Sequence, residues 1–267
     1  MSDWLTVTRG DAPLIVSIPH AGTGIPNDIA VKLVSPELGR HDADLYIDRL
    51  YAFAAEMGAT IIQTAISRTV IDVNRDPAGV SLYPGQTTTG LCPTETFDGV
   101  ALYRDGAAPD DAEIARRRDI WFAPYHAALE TEIARLRDRH PAIVLYEAHS
   151  IRSIVPRLFD GELPQFNIGT NSGAACAAAL TRTVEAVCDA SGHSRITDGR
   201  FKGGWTTRDY GRPDAGVHAI QMELAMRGYL EEAQPWPPAW DPARAAPMQA
   251  ILRRVLEACL DFAEGAA

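Results

Sequence analysis

The sequence predicts an α/β domain, a β-sheet with helices on both faces, on three observations. Short runs rich in Ile, Val and Leu recur along the chain, and segments with helical apolar spacing separate them. The chain has 267 residues, 46% hydrophobic and 22% charged, a composition that lets a soluble protein bury a large core. No internal repeat or low-complexity linker divides it, so residues 1–267 read as a single domain.

The elements follow in order. Leu14, Ile15, Val16 and Ile18 make a buried strand that Pro19 and Gly22 stop. Over 44–57, Leu45, Leu50, Tyr51, Ala54 and Met57 fall at helical spacing; Asp42 or Asp44 suits the N-cap and Gly58 the end. Residues 59–64 and 70–73 read as two further strands. From about 76 to 109, Gly, Pro and Thr recur without a period. A stretch so long is an active-site loop or lid, or else a solvated insertion. A strong helical pattern covers 110–139, with Pro124 kinking or splitting it. Residues 142–147 are a buried strand, 165–169 another, and 174–189 an Ala-rich helix. Residues 217–224 form a strand running into a turn or helix; Pro235-Trp236-Pro237-Pro238 is a loop, and 243–262 a closing helix.

A net charge of -10 argues against nucleic acid, because phosphate contacts need clustered Lys and Arg. The cysteines, Cys92, Cys176, Cys188 and Cys259, are spaced too widely for a zinc knuckle or a redox pair. Met1-Ser2-Asp3-Trp4 lacks the features of a signal peptide, and no apolar run approaches the roughly 20 residues that span a bilayer. The expectation is a cytoplasmic protein with reduced thiols and no membrane partner.

In open α/β sheets, ligands collect beyond the carboxyl ends of the strands. His20 follows the first strand, Glu147 and His149 close the 142–147 strand, and Glu223 lies near the end of the 217–224 strand. Two imidazoles and several carboxylates at one sheet edge form the ligand set that zinc prefers in hydrolases, with a free carboxylate left to take a proton. Asp42 and Asp44 are candidates for a third ligand, with helix capping as the alternative role. Arginines cluster around the same segments: Arg68, Arg75, Arg152, Arg157, Arg200, Arg208 and Arg212. Guanidinium forks hold carboxylates, so this pattern in an acidic chain favours a small anionic substrate, and surface ion pairs are the alternative.

Several longer stretches carry a resemblance. They are Pro19-His20-Ala21-Gly22, Asp42-Ala43-Asp44, Asp48-Arg49-Leu50-Tyr51 and Ser67-Arg68-Thr69-Val70-Ile71-Asp72-Val73-Asn74-Arg75. Further along come Leu82-Tyr83-Pro84-Gly85-Gln86-Thr87-Thr88-Thr89-Gly90, Glu147-Ala148-His149-Ser150-Ile151-Arg152-Ser153, Gly199-Arg200-Phe201-Lys202-Gly203-Gly204 and Gly216-Val217-His218-Ala219-Ile220-Gln221-Met222-Glu223. Along nearly its whole length the chain resembles the N-formylglutamate amidohydrolase family. The resemblance implies hydrolysis of N-formyl-L-glutamate to formate and L-glutamate, the last step of one route of histidine breakdown. It also implies a mixed, mostly parallel sheet flanked by helices, like that of the zinc-dependent exopeptidases.

By that likeness His20 and His149 are ligands of Zn2+ or another divalent transition metal, and Glu223 is the general base. The wider superfamily places a Glu three residues after its first His, where this chain has Thr23; Asp44, in preference to Asp42, is then the carboxylate ligand. Many relatives carry Trp-His where this chain has Leu45-Tyr46, so no histidine ligand is available from that segment. Two of Arg68, Arg75, Arg152 and Arg208 would clamp the glutamate carboxylates, Asn74 would donate to one, and residues 83–90 would close over the substrate. The rival readings are a zinc hydrolase of another N-acyl amino acid or of a C-terminal peptide residue, and a binding protein without turnover.

Overall fold

Seven strands form one sheet in the computed structural model, which describes residues 4–233 and 235–265. Met1, Ser2 and Asp3, on which the reading of the N-terminus partly rests, lie outside them. The strands are β1 (Leu5–Thr8), β2 (Leu14–Ile18), β3 (Thr60–Thr64), β4 (Ile143–Ile151), β5 (Phe166–Gly169), β6 (Arg195–Thr197) and β7 (Val217–Ala225). Their order is β1-β3-β2-β4-β7-β5-β6. β2 runs parallel to β3 and β4, β4 to β7 and β5 to β6; β1 against β3 and β5 against β7 are antiparallel. The expected mixed, mostly parallel sheet flanked by helices is therefore present.

β2, β4 and β7 are buried at every position, as parallel strands covered on both faces must be; their apolar runs are broken by Ser17 in β2, by Glu147, His149 and Ser150 in β4 and by His218, Gln221 and Glu223 in β7. The helices are α1 (Asn27–Ala30), α2 (Ile47–Leu50), α3 (Asp111–Arg117), α4 (Ala123–Arg137), α5 (Ala178–Ala190), α6 (Trp205–Tyr210) and α7 (Pro242–Glu264). Strand alternation divides the core between two layers. Leu14, Val16, Ile18, Val144 and Tyr146 pack with Leu180 and Val184 of α5 and Leu252 and Val255 of α7. Ile15, Ile62, Ile143 and Leu145 face the other way, toward Tyr125, Leu129 and Leu136 of α4. Burying such side chains contributes about 1.5–3 kcal/mol each. Among the described residues no helix is long and apolar enough to cross a membrane.

Two expectations are corrected, and the break foreseen in a third element is placed. Residues 70–73 are a buried turn segment and form no strand. Val70, Ile71 and Val73 are apolar because they pack under the sheet with Trp121 and Phe122; the Asp72 carboxylate takes the Asn74 main-chain N–H that a strand would give to a neighbour. The helix expected over 44–57 is two short pieces, α2 and a 3-10 turn at Ala52–Ala55. Tyr46 adopts a left-handed φ of 58°, which a continuous right-handed helix forbids. The 110–139 helix is split: a π-helical turn at Arg118–Phe122 separates α3 from α4, and Pro124 stands in the first turn of α4, where its missing N–H costs nothing. Asp110 caps α3 by accepting from the Glu113 N–H at 2.8 Å. Over 76–109 only isolated bridges occur, Leu33 with Tyr103 and Glu95 with Ala101.

Candidate active site

The strand register brings the polar residues together. Glu147 stands opposite Gln221 and His149 opposite Glu223 across the parallel β4–β7 pair. The period of two therefore puts all four on one face of the sheet. His20 follows the end of β2 at Ile18, one residue past Pro19. Asp44 is delivered by the chain leading into α2, anchored by its own N–H donating to the His20 carbonyl at 3.0 Å.

The two imidazoles turn their Nδ1 atoms toward each other at 3.1 Å. Asp44 Oδ2 lies 3.1 Å from His149 Nδ1 and 3.8 Å from His20 Nδ1, and accepts the Ser150 N–H at 3.0 Å. One donor atom from each of the three lies within 4.8 Å of the others, and all three residues are buried. The outer nitrogens are backed from behind. His20 Nε2 lies 2.7 Å from Asp72 Oδ1, and His149 Nε2 lies 3.0 Å from the Asn74 amide and 3.7 Å from Glu147 Oε1, a buried oxygen with no hydrogen-bond partner. Two nitrogens and an oxygen converging in a buried pocket, with imidazoles oriented from their far side, fit a zinc-type cation.

Asp72 ties this cluster to the arginines. Its Oδ2 accepts from Arg68 at 2.7 Å and lies 3.3 Å from Arg75 Nε. Burial would raise its carboxyl, but His20, Arg68 and Arg75 hold it well below the ordinary range. Burial would also raise Asp44; the His149 hydrogen bond and the neighbouring cationic groups pull it below its ordinary value instead. His20 is pushed down by burial and by Arg68. For His149 burial acts downward, and Asp44 and Glu147 outweigh it, holding the imidazole up at about 10. Burial lifts Glu223 to about 7, Asp44 and Glu147 adding to it against His149 and Arg68. A carboxyl near neutrality suits a group that must both take and return a proton.

An open cavity adjoins the cluster and is lined by His20, His149 and Glu223 together with Arg68, Asn74, Arg75 and Arg200. Asn74 is fixed at both ends: its Oδ1 accepts the Thr206 N–H at 2.9 Å and its Nδ2 donates to Glu147 at 3.3 Å. Gly204 sits where a Cβ would come within 2.3 Å of that Nδ2, so only glycine leaves the amide room. Residues 83–90 border the cavity through Tyr83, Thr87, Thr88 and Thr89. The Tyr83 hydroxyl donates to the Gly203 carbonyl at 2.9 Å and accepts the Lys202 N–H at 3.1 Å.

Not every residue singled out in the sequence reaches the cavity. Arg152 is held outside it by Asp98 at 2.8 Å and Asp42 at 3.5 Å. Arg208 donates through Nε to the Gly203 carbonyl at 2.8 Å and lies over the Tyr83 ring, supporting that loop from behind. Asp42 accepts the Phe97 N–H at 2.7 Å and contacts His41, so of the two aspartates Asp44 alone joins the histidines. Asp72 was not singled out; its signal was an acid inside the apolar run 70–73. Gln221 gave none, since it reads as one more residue of a strand.

A sheet whose carboxyl edge gathers a near-neutral acid, two buried imidazoles and three arginines is the scaffold of a hydrolytic enzyme acting on a small molecule. Residues 12–230 match the family model described as N-formylglutamate amidohydrolase. The chain belongs to the N-formylglutamate amidohydrolase family and is an amidohydrolase acting on a linear amide. It is 45% identical over 262 residues to an N-formylglutamate deformylase of Pseudomonas aeruginosa and 41% identical over 261 residues to one of Pseudomonas putida, each match covering 97% of both proteins. The crystal structure of an N-formylglutamate amidohydrolase from Ralstonia eutropha shares the fold, with a TM-score of 0.82 at 23% identity over 99% of both chains. A gene product of Agrobacterium tumefaciens shares it as well, with a TM-score of 0.71 at 16% identity over 97% of this chain and 95% of that one.

Proposed function

We propose that this chain hydrolyses N-formyl-L-glutamate to L-glutamate and formate, as a metal-dependent step of histidine degradation in the cytoplasm. The observation that carries the reading is the buried group His20, Asp44 and His149 beside Glu223 in a chain 45% identical to a named deformylase. The four buried free thiols agree with a reducing compartment.

His20, His149 and Asp44 would hold Zn2+ or another divalent transition metal, a set of two nitrogens and one oxygen that leaves room for substrate. A divalent ion there polarises a carbonyl and eases loss of a proton from water. The remaining work falls to the chain. Glu223 takes a proton from the attacking water as its oxygen bonds to the formyl carbon. As the carbon–nitrogen bond breaks, Glu223 returns that proton to the leaving amine, so the products are formate and the free amino acid. Asn74, Arg68 and Arg75 orient the substrate carboxylates, and residues 83–90 limit water around the reacting amide.

The test is formate release by purified protein from N-formyl-L-glutamate beside N-acetyl-L-glutamate. The reading expects turnover of the first and a lower kcat/KM by about tenfold or more for the second, whose extra methyl must be accommodated beside the reacting carbon. Equal rates on the two would shift the substrate class to N-acyl amino acids in general.

A further inference from the structure

The three arginines that line the cavity differ in what compensates their charge. Arg68 is paired with Asp72 at 2.7 Å and Asp44 at 3.4 Å, and Arg75 approaches Asp72 at 3.3 Å. Arg200 meets only main-chain oxygens: Nε donates to the Leu158 carbonyl at 2.6 Å and one terminal nitrogen to the Thr87 carbonyl at 2.8 Å. Among the described residues no carboxylate lies within ion-pairing distance of it, although it is half-buried. Its guanidinium carbon lies 5.4 Å from the centre of the Tyr83 ring and 5.3 Å from that of Phe201. Carbonyls and rings fix the plane of the group without cancelling its charge, and partial burial makes an unpaired cation costly until an anion arrives.

We infer that Arg200 is the specificity-determining residue that binds the side-chain carboxylate of an acidic N-acyl amino acid. The inference rests on the amidohydrolase reading and deepens it. An N-acyl acidic amino acid brings two carboxylates. The one on the α-carbon stays close to the scissile amide, hence beside Asn74, which touches His149 at 3.0 Å, and beside Arg75. The distal one must reach a second cation on the same cavity wall, and Arg200 is the cation still lacking a counter-ion. Sequence position alone could not separate Arg200 from Arg208 and Arg212 in the Gly-rich segment 199–213; of the three, Arg200 alone lines the cavity, and it does so without an ion-paired acid.

The experiment compares kcat/KM for N-formyl-L-glutamate and N-formyl-L-glutamine in wild type, Arg200→Met and Arg200→Lys. The ratio of glutamate to glutamine substrate should fall at least about 100-fold in Arg200→Met and less in Arg200→Lys, which keeps the charge but loses the fork. A purely structural role, such as fastening Thr87, would lower both substrates alike and leave the ratio within about twofold of wild type, which would overturn the inference. Calorimetric binding of L-glutamate against L-glutamine keeps the test independent of turnover. Wild type should prefer glutamate and Arg200→Met should not, and a preference surviving in Arg200→Met overturns the assignment even if no formate is ever released. Absence of formate from wild type would count against the deformylase reading alone.

Discussion

His149 and Glu223 occupy one register position of the parallel β4–β7 pair, so an imidazole of the buried cluster and the near-neutral carboxyl stand on adjacent strands, facing the same side of the sheet. Neither depends on a mobile loop for its place. Both strands are buried along their full length, which holds the geometry before any substrate arrives.

Replacing Glu223 by Gln keeps the side-chain shape and removes the base. The expected result is a loss of roughly 10²–10⁴ in kcat with the bound metal retained. Steady-state formate assays with metal analysis of the same sample check it, and a wild-type kcat would remove Glu223 from proton transfer.

His149→Ala removes one donor of the proposed cation site and the partner of Asp44. Chelator competition should show zinc affinity lower by at least about 100-fold, with activity lost in step. Unchanged affinity would take His149 out of the ligand set.

Asp72 is fully buried; it is the counter-ion that Arg68 and Arg75 share and the hydrogen-bond partner of His20. Asp72→Ala leaves two guanidinium groups and an imidazole without it, and should lower unfolding stability by about 3–5 kcal/mol. Urea unfolding measures this. A change under about 1 kcal/mol would mean that the charges relax into solvent instead.

Gly204→Ala drives a methyl group against the Asn74 amide, itself locked by Thr206 and Glu147. The expected outcome is a normal circular dichroism spectrum with kcat/KM reduced about tenfold or more, because Asn74 must leave its place on the cavity wall. Wild-type kinetics would show that Asn74 does not orient substrate.

The strands that carry the site were legible because parallel strands covered on both faces favour dense apolar runs, as in Leu14, Ile15, Val16 and Ile18 of β2 and Ile143, Val144, Leu145 and Tyr146 of β4. The same rule misled at 70–73, where apolar side chains are buried beside a backbone that pairs with no strand. β1 alternates half-buried and exposed residues, and β6 is three residues long, so neither offered an apolar run to read. α6 follows Gly203-Gly204, which reads as a turn. His20, His149 and Glu223 could be found from strand ends alone. The separation of Arg75 and Arg200 from Arg152 and Arg208 could not, because it depends on which acid or carbonyl each guanidinium meets in the fold: Arg152 is drawn to Asp98, 54 residues away, and Arg200 to Leu158, 42 residues away.

The most direct test of the central claim, that a buried cation site beside Glu223 drives amide hydrolysis, is formate release from N-formyl-L-glutamate before chelation, after complete metal removal, and after zinc is restored. The account predicts activity, then its loss, then its return in proportion to about one bound ion per chain. Undiminished formate release by fully metal-free protein would contradict it.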